Sequence, residues 1–246
     1  MDFHLFDPSP KEIIHFMEFF KETIRCSQMN YSRLISLYWF SHQLGDVHFN
    51  HVCVISGSEQ EPELSLIQYD ALQVLSYEQD RMYDLDTDWS VTLPHQLKES
   101  FDLVICNQVL EHISSPFMAF KNFAHLCRRG GYLYVSVPVL NCIHGEPYFY
   151  SSGYHPRLLN KLACDSGFNL DQGAYWGSAK YAVHAINGHW CTERQLRPGI
   201  KSNADLRHPV LALIDGRKAS SKLASLLRFP VPEKLMTDCW GVYRKK

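Results

Sequence analysis

The sequence contains eight cysteines, at positions 26, 53, 106, 127, 142, 164, 191 and 239, yet none form a CxxC pair. Its 13 histidines likewise never fall at HxxxH or HExxH spacing. A structural zinc site therefore has no local signature, and the scattered thiols read as reduced, several of them buried, in a cytoplasmic protein. No apolar run approaches the ~20 residues that a membrane-spanning helix needs, so no membrane span is expected. The opening MDFHLFDPSPKE lacks a basic stretch followed by an apolar one and does not predict a secretory signal. There is no block of like charge, and the net charge is only −2, which argues against a nucleic-acid partner. No internal repeat is present.

What is present is core-forming material. Hydrophobic residues make up 46% and charged ones 20% of 246 residues, enough to fill one large domain and to exclude extensive disorder. Ser9 followed by Pro10 predicts a capped helix start, and Ile13, Ile14, Met17, Phe20 and Ile24 continue at helical spacing. A second helix is predicted over 31–42, ending near Gly45. Short β-branched or apolar runs predict buried strands over 51–55, 71–75, 101–106 and 131–137. Between the last two, Pro116 and the Gly130-Gly131 pair bracket a helix predicted over 115–129. A further helix is expected over 156–165, then a strand through 175. The closing DCWGVY reads as a terminal strand pairing with 168–175 in an antiparallel hairpin. Strands alternating with helices imply an α/β fold with a parallel sheet. The expected organisation is an N-terminal helical cap (1–45), a core (46–177), an insertion or lid (178–235) and a core strand (236–246).

The most informative stretch is FDLVICNQVLEHISSPFMAFKNFAHLCRRGGYLYVSVP, at 101–138. It resembles the fourth strand, following helix and fifth strand of class I S-adenosylmethionine (SAM)-dependent methyltransferases, where F-D-x-V-x-x-x-x-x-L-E-H precedes a helix, G-G and a strand ending in Pro. Downstream, His144, Pro147 and Tyr148 match a P…H-x-x-P…Y pattern of one group in that family, although Ser151-Ser152 stand where an Arg often follows. The resemblance implies a Rossmann-like, doubly wound, mostly parallel seven-stranded sheet with N-terminal helices and a C-terminal insertion. It also implies SAM as cofactor and a small-molecule or glycan-linked methyl acceptor.

The cofactor half departs from the family pattern. Its usual acid and G-x-G-x-G turn are replaced by Val54-Ile55-Ser56-Gly57-Ser58, and Glu59 and Glu61 follow. Those two acids would oppose the cofactor's carboxylate unless they point away. Ser76, or Glu78 two residues on, falls where an acid usually holds the ribose hydroxyls. Asp84 and Asp86 resemble the acidic segment facing the adenine amino group. Asn107 and Gln108 leave the carboxyl end of the fourth strand, where ligands bind in such sheets. The cofactor-binding set implied is Ser56, Gly57, Ser58, Ser76, Glu78, Asp84, Asp86, Asn107 and Gln108.

Methyl transfer to oxygen needs an acceptor that is held in line and deprotonated. His112 and His144 are the candidate base or acceptor-binding residues. Tyr148, Tyr150, Tyr154 and Trp176 are the candidate acceptor-pocket residues. Glu111-His112 resembles part of the E-x-x-E-H metal site of ubiquinone-pathway O-methyltransferases. Gln108 replaces its first Glu and is a poor ligand for a hard cation, so no metal is expected. Cys106 reads as a small buried residue. Two readings follow: a methyltransferase acting at oxygen, and a non-catalytic methyltransferase-like binding or scaffold protein with weakened SAM binding.

Overall fold

The computed structural model describes residues 2–20, 29–77, 80–141, 144–177 and 236–246. Seven strands form one sheet: β1 (His4–Leu5), β2 (His48–Ile55), β3 (Gln68–Leu75), β4 (Phe101–Asn107), β5 (Cys127–Pro138), β6 (Phe168–Trp176) and β7 (Asp238–Lys245). The helices are α1 (Pro10–Phe20), α2 (Tyr31–Leu44), the single turn α3 (Trp89–Thr92), α4 (Pro116–Leu126) and α5 (Pro156–Asp165). The strand order is β1-β6-β7-β5-β4-β2-β3. β2 pairs in parallel with both β3 and β4, and β4 with β5, while β7 runs antiparallel to β5. This is the expected doubly wound, mostly parallel α/β sheet. β7 does lie beside β6, as its sequence suggests, but it is also wedged against β5 inside the sheet.

The chain divides into two compact units, one of Met1–Asp7, Ser36–Tyr175 and Asp238–Lys246, the other of Pro8–Ile35 and Trp176–Thr237. Apart from Trp176 at the end of β6, the sheet belongs to the first. Alternation along β5 assigns its side chains to opposite faces. Leu133, Val135 and Val137 join Phe120, Phe123, Leu159 and Leu162 of α4 and α5 in one buried cluster. On the other face Tyr134 meets Phe40 of α2 edge-on at 4.7 Å, and Trp240 of β7 meets Trp39. In the second unit, α1 opens with the reciprocal cap that Ser9 promised. Ser9 N–H donates to Glu12 and Glu12 N–H donates to Ser9 Oγ.

The junction of α4 and β5 differs from the sequence expectation. α4 stops at Leu126 rather than 129, because Lys245 of β7 donates to the carbonyls of Ala124 (2.6 Å) and Cys127 (2.8 Å) and so closes the helix end. The Arg128–Gly131 stretch then bulges, since Phe101 pairs with Cys127 but Leu103 pairs with Tyr132. A Cβ on Gly131 would lie 3.0 Å from the Phe101 carbonyl oxygen, so only glycine passes here without a shift.

Asp102, in the FDLV run, lies at the amino end of the strands, away from the site described below. It accepts from the His51 N–H (2.8 Å) and from Arg128 Nε. Burial pushes its carboxyl pKa up, but Arg128 and the backbone donors outweigh that and hold it below the ordinary carboxylate value. Its stabilising contribution is therefore complete above that ordinary value, near 4, and fades as pH falls through the depressed folded value. Asp102→Ala should lower the unfolding free energy by about 2 kcal/mol at pH 7, a modest figure because Arg128 is half exposed. Urea titrations should show the gap between variant and parent closing below pH 4. A gap unchanged down to pH 2.5 would contradict this account.

Candidate functional site

The order of the sheet reverses at β2, which has β3 on one side and β4 on the other. A crevice at the carboxyl ends of these strands follows from that topology. The β2–β4 ladder ends with Ile55 opposite Cys106, and the next residues turn out of the sheet together. Ser56 and Gln108 both adopt φ near +52°, a left-handed conformation that costs a non-glycine residue about 1 kcal/mol. Each is tied to the next strand over: Ser56 N–H donates to Leu75 O and Gln108 N–H to Ser136 O, both at 2.8 Å.

Gly57 does not take a positive φ, so its requirement is space. A Cβ there would lie 2.7 Å from Val54 Cγ1 and 2.8 Å from Glu61 Oε1. Glu61, which the sequence left as a possible repulsive charge, thus aims its carboxylate at the Gly57 turn, beside the Val54 position. Glu59 is exposed.

A cavity of about 490 Å³ opens above these turns. Of the cofactor candidates, Ser56, Gly57, Ser76, Asp84, Asp86 and Gln108 line it. Ser58 is exposed and accepts from Gln60 N–H, and neither it nor Asn107 reaches the wall. Glu78 lies outside the described residues. The two aspartates differ in their commitments. Asp86 accepts from the N–H groups of Ser114 (3.2 Å) and Ser115 (2.6 Å), one through each carboxylate oxygen, and so holds the entry to α4. Among the described residues, Asp84 uses only Oδ1, for the Asp86 N–H. Tyr77, Tyr83, Leu85 and Val109 also line the cavity, and sequence reasoning had not singled them out.

Behind this acidic loop stands Asn122 of α4, fully buried. Its Nδ2 donates to the carbonyls of Leu85 (3.2 Å) and Thr87 (2.8 Å), and its Oδ1 accepts from Trp89 N–H (3.1 Å). Trp89 Nε1 adds a bond to the Asp84 carbonyl. A polar residue on the apolar stripe of Ala119, Phe123 and Leu126 is the signal that marks Asn122 in the sequence.

On the opposite wall, His112, Tyr148 and Tyr150 line the cavity, together with Gly145. Of the other acceptor-pocket candidates, Tyr154 is buried and its hydroxyl donates to the Leu110 carbonyl at 2.7 Å. Burial raises its phenol pKa to about 12. It supports the Leu110–His112 turn rather than lining the cavity. Trp176 is buried edge-on to Tyr31 and is not part of the wall. His144 stands behind His112, ring centroids 4.9 Å apart and planes nearly perpendicular. Glu111 is buried beneath them, and burial pushes its carboxyl pKa up despite the opposing influence of its own N–H and the two histidines. Cys106 is fully buried, and burial likewise pushes its thiol far above the usual range, which fits an inert residue.

A doubly wound sheet with a ligand-sized cavity at its switch point, walled by acids on one side and by histidine and tyrosine on the other, has the form of a Rossmann-like fold with a ligand crevice. Residues 4–197 match the family described as methyltransferase domain, and the chain belongs to that class I methyltransferase family. Similar solved structures include the following two. A candidate sarcosine dimethylglycine methyltransferase from Galdieria sulphuraria is 10% identical over 96% of this chain and 98% of its own, with a TM-score of 0.51. Haemonchus contortus phosphoethanolamine N-methyltransferase 2, solved with SAM, is 13% identical over 96% of this chain and 57% of its own, with a TM-score of 0.49. A search of curated proteins finds no match. No helix among the described residues is long and apolar enough to cross a membrane.

Proposed function

We propose that the cavity binds SAM and that the chain transfers its methyl group to a hydroxyl of a small-molecule or glycan-linked acceptor. The observation that carries this reading is one cavity joining the Gly57 turn, the Ser76–Asp84 side and the His112–Tyr148–Tyr150 wall. In that arrangement the Ser56-Gly57 turn takes the methionine part of the cofactor. Glu61, aimed at Gly57, is suited to its ammonium group and stands in for the acid missing at Val54. Ser76 meets a ribose hydroxyl, and the uncommitted oxygen of Asp84 accepts from the adenine amino group. The acceptor oxygen attacks the methyl carbon in line. The carbon–sulfur bond breaks with its electron pair left on sulfur, and the oxygen's proton goes to the histidine side of the cavity. Aromatic Tyr148 and Tyr150 face the acceptor. The same reading takes the chain as a cytoplasmic enzyme, in keeping with its scattered cysteines, which form no CxxC pair. The idea that 178–235 encloses the acceptor concerns residues outside those described.

Calorimetric titration with S-adenosylhomocysteine tests the reading. Binding is expected, and Asp84→Ala should weaken it about tenfold, the worth of one hydrogen bond to a charged group. Absence of heat with either SAM or S-adenosylhomocysteine at millimolar concentration would refute it. The missing acids at Val54 and Ser76 favour a second reading, a methyltransferase-like scaffold. That reading predicts this null titration.

A further inference from the structure

From the convergence of Glu111, His112 and His144 we infer a binding site for one divalent transition-metal ion, of the zinc type, at the acceptor edge of the cavity. One carboxylate oxygen of Glu111 and one ring nitrogen of each histidine lie within 4.8 Å of one another. That span is what three ligands of a single ion at about 2 Å each can close with small side-chain adjustments.

A second observation points the same way. Glu111 is 1% exposed, and its Oε2 has no hydrogen-bond partner among the described residues. A buried carboxylate oxygen with nothing to accept from is expensive, and a cation removes that penalty directly. The histidines are arranged to complete the set. His112 Nδ1 lies 2.7 Å from the Tyr148 carbonyl oxygen, which can only accept, so the proton is on Nδ1 and the lone pair on Nε2. A metal-ligating histidine is usually oriented by this kind of hydrogen bond to a backbone carbonyl. His144 reaches its place because the chain crosses directly over the His112 ring at Gly145. There φ is +66°, and a Cβ would lie 2.9 Å from His112 Cε1.

The absence of a metal was expected because Gln108 replaces an acid. In the folded chain Gln108 is not part of this cluster. Its side chain donates to Ser136 Oγ, and the third ligand comes from His144, 32 positions beyond His112 by their numbering. Two nitrogens and one carboxylate suit Zn²⁺ or Fe²⁺ far better than Mg²⁺, which prefers an all-oxygen shell. Three protein ligands leave a position open for an exogenous oxygen. On the methyltransferase reading, on which this role rests, that oxygen is the acceptor hydroxyl. Held there it would be more acidic, and with both histidines committed to the ion its proton would pass to solvent instead of to them as the oxygen attacks the methyl carbon and the carbon–sulfur bond breaks onto sulfur.

The test is equilibrium dialysis of the chelator-treated protein against Zn²⁺, with calorimetric titration of S-adenosylhomocysteine run in parallel. One Zn²⁺ per chain with micromolar or tighter affinity is expected. His144→Ala, on an exposed loop that should not disturb folding, should weaken binding at least tenfold, and His112→Ala and Glu111→Gln should do the same. No saturable binding up to millimolar Zn²⁺, or binding that all three variants leave unchanged, would overturn the site. Binding of S-adenosylhomocysteine by protein that shows no saturable Zn²⁺ binding would overturn the site and leave the methyltransferase reading standing. Zn²⁺ binding lost in the variants would support it even if S-adenosylhomocysteine failed to bind.

Discussion

Gly57→Trp should abolish binding of S-adenosylhomocysteine, lowering affinity more than a hundredfold in a calorimetric titration. The first atom of any side chain at this position already falls within 2.8 Å of both Val54 Cγ1 and Glu61 Oε1. Glu61 can swing away, but Val54 is branched at Cβ and held in a buried strand, so its rotamer is fixed. The backbone must then shift at a turn whose neighbour, Ser56, is already in a left-handed conformation. The indole itself enters the cavity where the methionine part of the cofactor is proposed to lie. A hundredfold loss is about 2.7 kcal/mol, a small demand for the displacement of a whole ligand segment. Gly57 is only partly buried, so the variant should keep its far-ultraviolet spectrum. A folded Gly57→Trp protein with unaltered affinity would show that the cofactor sits elsewhere.

Asn122→Leu should be the most destabilising single substitution outside the purely apolar core. Leucine keeps the volume and removes every polar partner. The carbonyls of Leu85 and Thr87 lose their donor and the Trp89 N–H loses its acceptor, in a region closed to water around Asn122. Leaving buried backbone groups unpaired costs roughly 1–3 kcal/mol each, and Thr87 can recover some of this by hydration. A net loss of about 3 kcal/mol is expected, or roughly 8 °C in Tm for a chain of this size. Because the same bonds hold the loop of Asp84 and Asp86 at the cavity wall, affinity for S-adenosylhomocysteine should fall as well. A Tm within 1 °C of the parent would mean that the three bonds stabilise nothing.

The sheet was legible because β4 is buried along nearly its whole length and so reads, from Leu103 to Cys106, as an apolar run. The helix over Pro156–Asp165 was found to the residue, with Pro156 at its start. What escaped had no local pattern to show. β1 is two residues long, too short for any period, and exists only because β6 offers it an edge. α4 ends where it does through Lys245, more than a hundred positions away. The site divides in the same way. Ser56, Gly57, Asp84, Gln108 and His112 follow strand ends at expected distances and were visible as candidates. Glu61 folds back on the Gly57 turn within one loop, four positions on, whereas His144 comes beside Glu111 only when separate loops cross. Tyr154 looked like a pocket residue by composition, whereas its hydroxyl is spent on the Leu110 carbonyl.

The way β7 enters the sheet has a consequence for how this chain can vary. Thr237 donates from both its N–H and its hydroxyl to the carbonyl of Trp176, although the two are 61 positions apart. The exit from β6 and the entry to β7 are thereby pinned to one another. Closing a loop of that length rather than one a tenth as long adds only about 2 kcal/mol, since the entropy grows with the logarithm of length. The scaffold is thus almost indifferent to how many residues are spliced between those two anchors. A lineage built on this sheet could lengthen or shorten the passage between those anchors without rebuilding the strands beneath.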